Sequence, residues 1–154
     1  ENNIEKSISY VKGFAIFMNK EQLKEIGFFD ENFFLYFEEI DLCRRVIKNG
    51  KKIFLVPKAH VKHSGGQSHI KSINTQMELS RNWHWMWSTF YYYKKHNSFI
   101  FALSIISGKF FSSLINTFFF SITFQKKKKD IYKHRLSGIL NSILGKKAWY
   151  RPKV

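Results

Sequence analysis

Residues 99–124 constrain this chain more than any other part of it. The stretch FIFALSIISGKFFSSLINTFFFSITF is apolar at sixteen of 26 positions, and Lys109 is its only charge. Its length exceeds the ~20 residues needed to span a bilayer as a helix. Yet Ser104, Lys109, Ser112, Ser113, Asn116, Thr117 and Ser121 interrupt it, several along one helical side. Four lysines, Lys126 to Lys129, follow immediately. A Phe-rich helix with a polar stripe and a basic run after it fits an interfacial helix or a helical hairpin. Packing against the rest of the chain or a second subunit fits equally well; a true span fits less well. The Trp and Tyr residues at 83–93 would suit the headgroup level. Each lysine of the run would add about 1 kcal/mol of attraction to anionic lipid.

Charge is divided unevenly along the 154 residues. Residues 1–41 hold nine acids and four Lys, a net of −5; residues 42–154 hold two acids and 22 Lys and Arg, a net of +20. A basic, Phe-rich second part can face anionic lipid, nucleic acid or a phosphorylated substrate. The 21 Lys against five Arg resemble the compositional habit of an AT-rich genome, and sequence-specific nucleic-acid recognition would call for more Arg. With 44% hydrophobic residues the chain can bury a core and is not wholly disordered. The length suits about one domain. A single Cys excludes an internal disulfide framework and fits a reducing compartment. No initiator Met and no signal peptide open the sequence, so it is expected to begin inside a longer protein.

Residues 8–18 (ISYVKGFAIFM) read as a buried strand. Asn19 can cap a short helix, KEQLKEI, that stops at Gly27. Residues 38–49 place Ile40, Leu42, Cys43, Val46 and Ile47 on one helical face, with Gly50 as the stop. KKIFLVP reads as a strand closed by Pro57, AHVKH as a second extended piece, and SGGQS as a turn. The alternation suggests part of an α/β domain over 1–69. Residues 70–95 and 130–144 read as helices and the last residues as an extended basic tail, so 70–154 form a helical extension.

The chemistry candidates lie between Asp30 and His63. Asp30, Glu31, Glu38, Glu39 and Asp41 crowd into twelve positions amid Phe, Leu and Tyr. A carboxylate in such surroundings is costly unless a cation, a metal or a substrate satisfies it. Either these are capping acids of an ordinary amphipathic helix, or one of them is a general base aimed into a cleft. His63, at a strand end beside Gly65-Gly66, is a candidate ligand or substrate contact. No His-x-x-His, Cys-x-x-Cys or HExxH pattern and no Gly-rich phosphate loop occurs.

Residues 11–68, VKGFAIFMNKEQLKEIGFFDENFFLYFEEIDLCRRVIKNGKKIFLVPKAHVKHSGGQS, resemble the C-terminal part of a family 2 glycosyltransferase catalytic domain. The likeness is greatest to the bacterial rhamnosyltransferase-like enzymes of surface polysaccharide synthesis. The family pattern is a small-residue strand, then GxFDExFFxYxEDxDLCxR, a Gly, and a strand ending in Pro and a His. RNWHWMWSTFYYYKKH and GKKAWYRPK are similar to the family's C-terminal extension. The resemblance implies a glycosyltransferase A-type α/β fold, a nucleotide-sugar donor, a saccharide or lipid-linked acceptor, and a divalent metal, magnesium or manganese. It implies inverting displacement with Glu39 as base, preceded by Glu38. The family has Asp where this chain has Glu39. Asp41 and Arg45 are implied as supports, Asp30 as acceptor-side, and His63 as a metal ligand. The family's Asp-x-Asp motif does not occur in these residues, so the chain alone is expected to be an incomplete, inactive piece. The implied location is cytoplasmic, peripheral on the inner face of the cell membrane, with no nucleic-acid partner and a homo-oligomer allowed. A non-catalytic membrane-associated or nucleic-acid-binding basic module is the competing reading. As a nucleic-acid binder it leaves the acidic 30–41 cluster unexplained and predicts steep salt dependence; as a membrane anchor it makes Glu39 dispensable.

Overall fold

In a computed structural model the described residues are 6–13, 15–63 and 73–152. The SGGQS turn and the start of the 70–95 helix fall outside them. The elements are β1 (Lys6–Ile8), α1 (Lys20–Ile26), α2 (Glu38–Lys48), β2 (Ile53–Leu55), α3 (Asn74–His96), α4 (Phe99–Ile122) and α5 (Lys126–Ile143). The chain divides into two compact units, residues 1–31 with 37–68, and 32–36 with 69–154.

This architecture overturns the α/β expectation of a glycosyltransferase A-type half-domain. The described residues are dominated by five helices, and their strands form one two-stranded antiparallel ribbon pairing Lys6 with Leu55, Ser7 with Phe54 and Ile8 with Ile53. The expected strand at 8–18 contributes only Ile8. The rest of that segment finds no sheet neighbour among the described residues, and Tyr10 and Phe17 face solvent, the first 61% and the second fully exposed. A β-branched, aromatic run becomes a buried strand only when neighbours cover both its faces, and a lone ribbon covers neither.

In the first unit, α1 begins where Asn19 Oδ1 accepts from the Glu21 and Gln22 amides at 3.0 and 3.2 Å. It stops at Gly27, whose φ of +84° suits a residue without Cβ. Helix α2 buries Asp41, Leu42 and Cys43.

The second unit is a three-helix assembly. Its core gathers Met86 and Phe90 of α3, Ala102 and Ile106 of α4, and Ile139 of α5. Polar side chains fasten α3 to α5 and the tail. Trp83 Nε1 donates to Ser137 Oγ, Trp87 Nε1 donates to the Lys146 carbonyl, and the Ser142 hydroxyl donates to the Trp87 carbonyl. Each indole N–H thus finds an acceptor, the condition for burying Trp without penalty. The chain reverses after α4 through Phe124 (φ +56°). Phe120 then stacks on Tyr132, 5.7 Å between centroids, while Ala102 and Ile106 meet Ile139. The two helices therefore run antiparallel.

Glycine sets how closely α5 approaches α3. A Cβ at Gly138 would press on the Trp83 carbonyl oxygen and lie 3.2 Å from its carbon and 3.4 Å from Met86 Cβ. Backbone cannot swing aside as a long side chain can. Gly138→Ala gains about 1 kcal/mol of helix propensity, but overpacking costs about 1–3 kcal/mol, and the net expectation is destabilisation. At Gly108 an added Cβ meets nothing within 4 Å, so Gly108→Ala keeps the propensity gain. Urea unfolding of the two variants checks the opposite signs.

Candidate active site

The acids predicted to carry chemistry cluster at the start of α2. The two residues before it, Tyr36 and Phe37, both adopt left-handed backbone, with φ of +67° and +72°. Bulky side chains rarely accept this conformation, and each such residue costs on the order of 1–3 kcal/mol. Phe37 is the N-cap and supplies no side-chain cap. Glu38, Glu39 and Asp41 all fall in the first turn, where the helix dipole favours negative charge.

The three acids have different surroundings. Asp41 is fully buried, and its Oδ2 accepts from Arg45 Nε at 2.9 Å. The rest of the Arg45 guanidinium donates to the carbonyls of Ile26, Gly27 and Phe28 at 3.0, 2.7 and 2.6 Å. Asp41 and Arg45 thereby tie α2 to the end of α1 and to Phe28, the first residue of the aromatic loop at 28–37. Glu38 and Glu39 are half-buried, and in each the Oε2 atom is sealed from solvent with no hydrogen-bond donor among the described residues. Burial pushes the Glu38 carboxyl above its ordinary value; a hydrogen bond from its own backbone N–H pulls it back, and the Glu39 charge raises it again.

Gly13 lies across from Glu39. A Cβ there would sit 3.7 Å from Glu39 Cβ, Cγ and Cδ, so the glycine leaves its α-carbon face open beside the carboxylate's stem. Cys43 is also near. Burial raises its thiol, a hydrogen bond from the Val11 backbone lowers it, and the Glu39 charge raises it further. Gly13 and Cys43 thus neighbour Glu39. Sequence reasoning did not single out Gly13 or Cys43 for this site; Gly13 stood only within a run read as a buried strand.

Asp30 is half-buried in the aromatic loop, and His63 is exposed on the extended segment after β2. Among the described residues no three His, Cys, Asp or Glu side chains gather as a metal's ligand set. The described residues do not by themselves assemble the divalent site that the resemblance implies.

The Glu38 environment gives a stability prediction. A carboxyl whose folded-state value is raised binds a proton more readily folded than unfolded, so stability falls as pH climbs from 4.5, the ordinary value, through the raised one. Glu38→Gln removes that loss. The variant is expected to melt higher than wild type at neutral pH, with the advantage vanishing below pH 4.5. Thermal unfolding across that range measures it.

No family model matches the chain, and no solved structure does. Among curated proteins, the N-acetylglucosaminyl-diphospho-decaprenol L-rhamnosyltransferases of Mycobacterium tuberculosis strains CDC 1551 / Oshkosh and ATCC 25618 / H37Rv are each 31% identical to it over 64 residues. The match covers 42% of this chain and 21% of each relative. The chain therefore spans about a fifth of the length of these relatives, and the likeness supports a glycosyltransferase-like relationship.

Proposed function

We propose that this chain is part of a glycosyltransferase in which Glu39 removes the acceptor's proton. The observation that carries the reading is the unpartnered carboxylate oxygen of Glu39, held in the first turn of α2 behind two strained aromatic residues. A stability-driven sequence would pair that oxygen or replace it, since an unsatisfied buried acceptor costs about 1–3 kcal/mol. Strain and an unmet acceptor at one place suit a group waiting for a hydroxyl.

In the proposed reaction the acceptor hydroxyl donates to Glu39 while its oxygen attacks the anomeric carbon of a nucleotide sugar. A carbon–oxygen bond forms on one face, the bond to the nucleoside diphosphate breaks on the other, and the proton ends on Glu39. The configuration at that carbon inverts. Asp41 and Arg45 hold α2 in place during the step. The relatives' names specify rhamnosyl transfer to a diphospho-decaprenol-linked sugar, which favours a lipid-linked acceptor here too.

A lipid-linked acceptor accords with α4. It is the one helix among the described residues long and apolar enough to cross a membrane, and only 17% of its most apolar stretch is buried. Phe99, Ile100, Phe111, Ile115, Phe118 and Ile122 are among its exposed side chains. A transverse α4 would carry the antiparallel α5, with Lys133, His134 and Arg135, into hydrocarbon at a cost of several kcal/mol. An α4 lying in the interface keeps α5 and Lys126–Lys129 at the headgroups. We place the protein on the inner membrane face in that orientation.

The reading is tested by incubating membranes from cells expressing the intact gene with nucleotide sugars and a lipid-linked saccharide. Transfer with inverted anomeric configuration is the expected result. Retention, or no transfer with any nucleotide sugar, overturns it.

A further inference from the structure

A second polar site lies in the helical unit. A cleft of about 280 Å³ opens among α3, α4 and α5, lined by Met86, Gly108, Lys109, Ser112, Ser113 and Arg135, among others. Lys109 is the only charge of the apolar helix and sits near its midpoint. Arg135 comes from α5, and among the described residues no carboxylate pairs with either cation.

Arg135 is held in place. Its Nε donates to Asn82 Oδ1 at 2.7 Å, Asn82 Nδ2 donates to the Glu78 carbonyl at 2.8 Å, and the guanidinium lies 5.0 Å from the Tyr132 ring centroid. The two terminal nitrogens keep their donors. Ser112 Oγ accepts from Asn116 Nδ2 at 3.4 Å, which leaves its hydroxyl hydrogen to give. Ser113, by contrast, spends its hydroxyl on the Lys109 carbonyl at 2.7 Å. The cleft therefore offers an Arg fork, an ammonium and a hydroxyl, two positive charges in all, and no opposing acid.

We propose that this cleft holds the phosphomonoester headgroup of a membrane lipid. A doubly charged phosphoryl group has the oxygens to accept from the fork, the ammonium and the hydroxyl together, and its charge matches the two cations. The inference rests on the interfacial placement of α4, because only a helix lying among headgroups brings its midpoint cation level with lipid phosphate. The run at Lys126–Lys129 then supplies general attraction to anionic surfaces, and the cleft supplies the preference.

Vesicle flotation of the full chain separates the two contributions. Phosphatidylcholine vesicles are doped with phosphatidic acid, a phosphomonoester, or with phosphatidylglycerol, a phosphodiester, at matched surface potential. Wild type is expected to bind the phosphatidic acid vesicles about tenfold more tightly, the worth of one charge-assisted contact. Lys109→Gln with Arg135→Gln abolishes the preference and leaves salt-sensitive binding to both. Ser112→Asp, at an exposed position that cannot endanger the fold, does the same by repulsion. Flotation without preference, or preference retained in both variants, overturns the lipid site alone. Failure to float with any vesicle overturns the interfacial placement as well. Neither result bears on Glu39, whose test is sugar transfer.

Discussion

Replacing Glu39 with Gln is expected to lower sugar transfer by about 10²- to 10⁴-fold, the usual contribution of a positioned general base. Gln keeps the length and shape of the side chain and cannot accept the proton. The fall should appear in kcat, because the interaction is made as the hydroxyl loses its proton and not when the acceptor first binds. Stability should move the other way or not at all. Glu39 Oε2 has no donor among the described residues, so the substitution breaks no hydrogen bond of that oxygen and removes one of two neighbouring like charges. Glu39→Asp restores the residue of the family pattern. It retracts the carboxylate by one methylene and should keep a substantial part of the activity. Glu38→Gln, next along the same turn, should cost less than tenfold. Equal losses at 38 and 39, or a Glu39→Gln protein that transfers within about threefold of wild type, would remove the base from the mechanism.

The sequence made some of this legible and hid the rest for identifiable reasons. Asn19 and Gly27 bracket α1 as read, because a side-chain oxygen offered to free amides and a glycine at positive φ are local devices. The extent of α2 followed from periodicity and the Gly50 stop in the same way. The strand at 8–18 failed because burial of a strand depends on neighbours that its own residues cannot specify; Phe17 ended fully exposed. Helix α5 starts at Lys126, four residues before the expected 130, since a run of lysines propagates a helix well. The left-handed pair Tyr36–Phe37 was invisible, since aromatic residues carry no signal for that conformation. Lys109 stood out as the lone charge of its helix, but its partner in the cleft, Arg135, lies 26 positions on, a distance that only the hairpin closes.

The largest expected pH effect belongs to His84. This side chain is fully buried in α3, 4.8 Å from the Trp83 ring and 4.9 Å from the Phe34 ring. Its Nε2 lies 2.8 Å from the Tyr150 carbonyl, which can only accept, so the proton resides on Nε2. Nδ1 is left sealed and without a partner. Protonating Nδ1 would bury a charge among aromatic rings. Burial first, opposed by the Tyr150 carbonyl and helped by the Arg151 charge, pushes the imidazole from 6.5 down to about 4. A base whose folded-state value is depressed binds its proton more readily unfolded, so stability rises with pH between those two values and is lost as pH falls through them. The interval corresponds to about 3 kcal/mol, present in full above pH 6.5 and gone near pH 4. Carboxylates titrate over part of the same window, so the readout is a difference. His84→Gln keeps a donor for the Tyr150 carbonyl and cannot titrate. Urea unfolding followed between pH 7 and pH 4 should show wild type losing about 3 kcal/mol more than this variant. Parallel losses would mean that the imidazole is already protonated, or reaches water, in the folded chain.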